Sequence, residues 1–177
     1  MIYVFLKNDM TVIRQTEKIA RITPELIENL CSLAASSERG KSIALIHSDE
    51  SDHVQEMLIA LAPRTFVDRH CTNNQSESIF VLRGLLAMAL FSENGEIVET
   101  LTLANNKGSS LFGLRLPTRQ WQAYLTGEEV TVIHEIACGP FKTTNSEQWA
   151  LDDVEVRNLK RRLEVKLSSV QNPNIQI

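Results

Sequence analysis

The sequence predicts a mainly β fold, a single antiparallel barrel or sandwich with one helix ahead of it and another behind. Three observations predict it. Between Val54 and Ile136 the chain is a succession of eight short apolar runs of strand length: MLIAL, TFV, SIFVL, LLAMALF, EIVETLTL, SLFGLRL, WQAYL and EEVTVIHEI. Turn-forming residues separate them. One pair, Asn94-Gly95, is the dipeptide favoured by a two-residue type I′ turn, and it predicts a hairpin joining Leu85–Phe91 to Glu96–Leu103. On either side of the runs, apolar residues recur at helical spacing instead. Eight short strands that leave no bare edge close most simply as a small barrel or as two packed sheets.

The elements follow in chain order. Ile2 to Leu6 is a short apolar stretch that predicts a strand able to add to a sheet edge in the same or another subunit. Thr23-Pro24-Glu25 supplies an N-cap, a proline in the first helical position and an acidic first turn; Leu26, Leu30 and Leu33 then mark one face of a helix that ends before Gly40. The eight strands come next. Beyond Gly139-Pro140 the composition turns polar, and Asp152-Asp153 caps an amphipathic helix with Val156, Leu159, Leu163 and Leu167 on one stripe. The expected organisation is a strand-and-helix segment over 1–52, a barrel over 53–141 and a helical tail over 142–177.

Composition limits the function. The 177 residues are 43% hydrophobic and 23% charged, the balance of a globular protein rather than a disordered or fibrous one. A formal net charge of −4 provides no positive field to gather phosphates or anionic lipid, which argues against nucleic-acid and membrane partners. The longest apolar run, Leu85 to Phe91, is far too short to span a bilayer, and Ile2–Leu6 lacks the basic start and cleavage site of a leader, so a cytoplasmic location is expected. Cys31, Cys71 and Cys138 are odd in number and form no CxxC pair, so neither a disulfide framework nor a zinc knuckle is expected.

Ligand-type residues at meaningful spacing run from Arg64 to Gly84. His70 and Thr72 are two apart and share a strand face, and Glu77 joins them from the next strand. An imidazole and a carboxylate so placed suit a first-row transition metal, although ordinary polar residues at a strand end explain them as simply. The stretch resembles the first motif of the cupins, with Arg64 in place of the leading Gly, His70 and Thr72 at the two His positions, Glu77 at the Glu and Gly84 closing the strand. Pro117 to Gln122 resembles the second motif, with Arg119 at its Gly and Gln122 at its final His. Further phrases, namely His47-Ser48, Val54-Gln55 with LIALAP, IFVLRG, Trp121 and Gly139-Pro140-Phe141, resemble the WbuC-type cupins, small bacterial proteins associated with surface-polysaccharide gene sets.

The resemblance implies a jelly-roll β-barrel, with His70 and Glu77 as the two strong ligands left from a shell of four. Thr72 and Gln122 are weak donors, so at most a weakly held divalent metal is expected, and more simply none. A Gly position occupied by Arg119 implies that the turn before Trp121 also differs. The expected function is binding of a small polar molecule, such as a sugar or sugar nucleotide, in surface-polysaccharide metabolism. Two alternatives stand beside it: a metal-dependent isomerase or dioxygenase using His70 and Glu77, and a non-enzymatic dimeric interaction protein.

Other side chains complete the candidate set. His47, Arg83, Arg115, Trp121 and Tyr124 are candidate ligand-binding residues, the last four as a rim on which an aromatic ring stacks against a sugar while Arg holds an anionic group. His134 shares a strand face with Val132 and Ile136 and reads as a core or cavity-wall histidine satisfied by a hydrogen bond. Cys71 points away from His70. The tail's Arg157, Lys160, Arg161, Arg162 and Lys166 are offset by neighbouring acids and read as a solvated helix face. In SIFVLRG and LLAMALF both strand faces are apolar, which predicts burial of the outer face in a homodimer unless the terminal helices cover it.

Overall fold

The computed structural model describes residues 2–7, 10–15, 17–73, 75–105, 111–140, 142 and 146–171, with side chains from residue 11 to 170 within those ranges. Phe141 and residues 172–177 of the expected tail lie outside them.

All eight runs are strands: β4 (Val54–Leu61), β5 (Phe66–Thr72), β6 (Glu77–Arg83), β7 (Leu85–Phe91), β8 (Ile97–Ala104), β9 (Gly113–Leu116), β10 (Trp121–Thr126) and β11 (Thr131–Cys138). They form two facing sheets, β4-β11-β6-β9 and β5-β10-β7-β8, the strand order of an eight-stranded jelly roll. Before them come β1 (Ile2–Lys7), β2 (Met10–Gln15), α1 (Pro24–Ser36) and β3 (Lys41–Leu45). These three strands widen the first sheet to seven in the order β1-β2-β3-β4. The sequence reading did not separate β2 and β3, and their pairing is parallel, with α1 as the crossover that a parallel pair needs. A single-strand addition at the other sheet's edge, β12 (Ser146–Gln148), was also unforeseen; it pairs with β5 and is three residues long. The last described element is α2 (Asp153–Gln171).

Both helices begin where their caps put them. Thr23 Oγ accepts the Leu26 N–H at 3.3 Å. Asp152 accepts the N–H groups of Val154 and Glu155, both at 2.8 Å, while Glu155 reaches back to the Asp152 N–H at 2.9 Å, closing a reciprocal capping box.

The protein is built in four layers. The barrel interior holds Ile59, Leu61, Ile79, Val81, Leu86, Met88, Leu103 and Ile133. Outside the first sheet, Leu26, Leu30, Cys31 and Ala34 of α1 cover Ile13, Ala44, Leu58, Ala60 and Val132. Outside the second, Leu159, Leu163 and Leu167 of α2 cover Leu85, Ala87, Ala89, Ala123 and Leu125, where alanines let the helix approach closely. The apolar outer faces that suggested a homodimer are therefore largely covered by the chain's own helices, and that argument for a dimer falls away. No helix among the described residues is long and apolar enough to cross a membrane.

Two turns differ from expectation. The β7–β8 hairpin forms, but only Gly95 has positive φ (82°), whereas a type I′ turn needs it at Asn94 as well. Gly95 N–H instead closes on the Ser92 carbonyl at 3.0 Å, and the Ser92 N–H pairs with the Glu96 carbonyl at 2.9 Å, a three-residue connection ending in a left-handed glycine. Before Trp121, the expected change of turn does not occur: Arg119 adopts φ of 62°, and Arg64, at the other glycine position, adopts 56°. Arginine takes up the left-handed conformation that glycine adopts without strain.

Candidate functional site

One end of the barrel interior is polar, and a bulge sets it up. Val67 pairs with Tyr124 and His70 with Gln122, so three residues of β5 span what two span on β10. The extra residue turns His70 inward and Arg69 and Cys71 outward. Cys71 is fully buried in the layer beneath α2, as the sequence parity required. Arg69 lies over the rings of Trp149 and Phe91, at 4.0 and 5.3 Å from their centroids.

His70 Nδ1 is 2.8 Å from the Asp68 carbonyl. A carbonyl only accepts, so Nδ1 carries the proton and Nε2 is left as the acceptor. Burial pushes the His70 pKa down, keeping the ring neutral. Its ring meets the buried Tyr124 edge-on, with centroids 5.7 Å apart.

Opposite His70's sheet, Glu77 opens β6 and is 4% exposed. Gln122 Nε2 donates to Glu77 Oε1, a hydrogen bond that crosses the barrel from β10 in one sheet to β6 in the other. The remaining amide oxygen, Gln122 Oε1, is buried and has no hydrogen-bond partner among the described residues. Burial, reinforced by the nearby Glu135, raises the Glu77 pKa to about 7, against the opposing effect of the Gln122 bond.

Glu135 joins this group, and Lys41 faces the same interior farther along the sheet; the sequence reading missed both. On β11, Glu135 pairs with Ile79, while Glu77 pairs with Ala137, so the two carboxyls sit diagonally on one face of adjacent strands. Lys41 opens β3 on the face it shares with Ile43, which packs into the barrel interior. Burial drives the ionisation of both toward the neutral form, raising Glu135 and lowering Lys41, and each partly holds the other charged. Burial likewise raises the Tyr124 phenol. As whole residues, Lys41, His70 and Glu135 are partly rather than fully buried. A signal existed: in TVIHEIAC adjacent His134 and Glu135 must point to opposite faces, so one of them faces inward.

The other candidates disperse. His134 faces outward, not into the barrel, and meets Glu56 Oε1 at 2.8 Å. His47 is buried in the β3–β4 loop, where its Nδ1 lies 2.9 Å from the Glu56 carbonyl oxygen and 3.0 Å from the Glu56 backbone nitrogen. Arg83 pairs with Glu28 of α1 at 2.7 Å on the outside of the first sheet. Arg115 donates to Ser76 Oγ at 2.8 Å. Trp121 packs edge-on against Trp149 beneath α2, with centroids 5.7 Å apart. Of the proposed sugar-binding rim, only Tyr124 reaches the interior, because strand alternation sends Trp121 to the opposite face.

Two of the four positions of the resemblance are engaged within the protein itself. Thr72 Oγ gives its proton to the Gln75 carbonyl at 3.1 Å, and the Gln122 amide nitrogen is spent on Glu77. Among the described residues no three His, Cys, Asp or Glu groups converge as a metal shell requires.

Comparison with known proteins adds the following. A family described as Domain of unknown function (DUF6016) matches residues 22–103, from α1 into β8 and under half of the chain. No curated protein matches the sequence. Among solved structures, the capsular polysaccharide assembling protein CapF from Staphylococcus aureus aligns with 57% of this chain and 29% of its own, at 13% identity and a TM-score of 0.50. This chain thus spans less than a third of CapF. A dTDP sugar isomerase from Desulfovibrio desulfuricans G20 aligns with 63% of this chain and 76% of its own, at 16% identity and a TM-score of 0.50. An oxalate oxidase in complex with the substrate analogue glycolate aligns with 77% and 75%, at 10% identity and a TM-score of 0.50. The fold is that of the cupins. At these identities the likeness is one of architecture, and activity has to be argued from the side chains.

Proposed function

We propose that this chain is a WbuC-type cupin that binds a small polar ligand, a sugar or the sugar of a sugar nucleotide, at the polar end of its barrel, and that it serves surface-polysaccharide metabolism. The observation that carries this reading is the buried Gln122 Oε1 left without a partner beside the Glu77–Gln122 bridge. An unsatisfied buried acceptor costs about 1–3 kcal/mol, and a carboxylate held in an apolar barrel costs more. A ligand hydroxyl donating to that oxygen offsets the cost. Two structural relatives support the ligand class and the setting by what they are: one is a capsular polysaccharide assembling protein and the other a dTDP sugar isomerase.

Thermal denaturation with dTDP-glucose, UDP-glucose and the corresponding free nucleotides tests the reading. Stabilisation by at least one of the sugar nucleotides beyond its nucleotide supports it. Equal or absent stabilisation overturns it.

A further inference from the structure

The chemistry of the groups at the polar end narrows the ligand, and the inference rests on the reading just given. Acceptors outnumber donors there. Glu77 and Glu135 offer carboxyl oxygens, Gln122 offers a buried amide oxygen with no partner among the described residues, and His70 offers Nε2. Against these stands the Tyr124 hydroxyl, because the Gln122 amide N–H is already given to Glu77. Glu77 and Glu135 are diagonal neighbours across β6 and β11, a placement that separates Cα atoms by about 7–8 Å and lets one hydroxylated ring touch both.

We propose that Glu135, with Glu77 and Gln122, forms an acceptor-rich site for the hydroxyls of an uncharged pyranose, and that this site excludes hexuronates. A neutral sugar brings several O–H donors, each able to satisfy a carboxyl or amide oxygen. Above the Glu77 value of about 7, a hexuronate brings a further carboxylate into an interior where two carboxyls already oppose one another.

The test uses the full chain with four probes, glucose, galactose, glucuronate and galacturonate, each titrated at about pH 8, above the Glu77 value of about 7. The shift of the Gln122 side-chain amide resonance is followed. The expected result is saturable displacement by at least one neutral hexose, with the matching hexuronate weaker by about tenfold or more. Glu135→Gln is expected to weaken the hexose by about tenfold, because the amide halves the acceptor capacity and a charge-assisted bond is lost. Hexuronates that bind as well as hexoses overturn this inference and leave the sugar reading standing. If no sugar moves Gln122, both fall. Should Glu135→Gln fail to fold, the comparison of hexose with hexuronate on the unaltered chain still decides.

Discussion

Replacing Glu77 by Gln should stabilise the protein above neutral pH and leave it nearly unchanged in mild acid. In the unfolded chain Glu77 has an ordinary value of 4.5, and in the folded barrel it rises to about 7, chiefly through burial. Between these values the folded state holds more protons than the unfolded one, so stability falls as pH rises through that window. A displacement of roughly 2.5 pH units at 1.36 kcal/mol each makes the fold about 3 kcal/mol less stable above pH 7 than below pH 4.5 on account of this one group. Gln keeps the volume, never ionises, and can donate its own N–H to the unpartnered Gln122 Oε1. Urea denaturation of the two proteins at about pH 4.5 and about pH 8 measures the difference. The expected gain for Glu77→Gln is about 3 kcal/mol at the higher pH and under about 1 at the lower. A variant no more stable at pH 8, or one equally stabilised at both, would refute the burial of an ionisable Glu77. The trade is the familiar one in which a site retains a group that costs stability.

Three further outcomes are expected. Arg119→Gly, at an exposed position with φ of 62°, should raise stability by up to about 1 kcal/mol, since relief of about 1–2 is partly offset by the freedom glycine gains on unfolding; a loss in thermal denaturation would contradict the left-handed turn. Leu163→Ala, fully buried where α2 meets the second sheet, should cost about 2–5 kcal/mol in urea denaturation, and a cost under about 1 would mean that α2 does not cover this sheet. Elemental analysis of protein purified without added metal should find far less than one transition-metal ion per chain; one tightly held ion, lost in His70→Ala, would promote the metal-dependent alternative.

The barrel was legible because each strand is a short apolar run closed by turn residues, and that pattern needs no tertiary information. Helix α1 was legible from Thr23-Pro24 and α2 from Asp152 with its leucine stripe. What stayed hidden depends on contacts between distant segments. β3 is five residues after a glycine and becomes a strand by pairing with β4 and, in parallel, with β2. Alternation indicates that Trp121 and Gln122 face opposite ways, yet the face turned to the interior is decided by α2 packing on the other one. His70, Glu77 and Gln122 were found through motif spacing. Glu135 and Lys41 occupy no motif position, and their inward direction follows from which side of the first sheet α1 covers.

Calorimetric titration of dTDP-glucose and UDP-glucose into the unaltered protein and into Gln122→Met tests most directly whether the polar end of the barrel is the binding site. Methionine keeps the length of the side chain but removes both the bridge to Glu77 and the unpartnered oxygen. The account predicts saturable binding of at least one sugar nucleotide to the unaltered chain, weakened about tenfold or more in the variant, with a urea transition that shows Gln122→Met folded. Binding of equal strength to both proteins, or none to either, would contradict it.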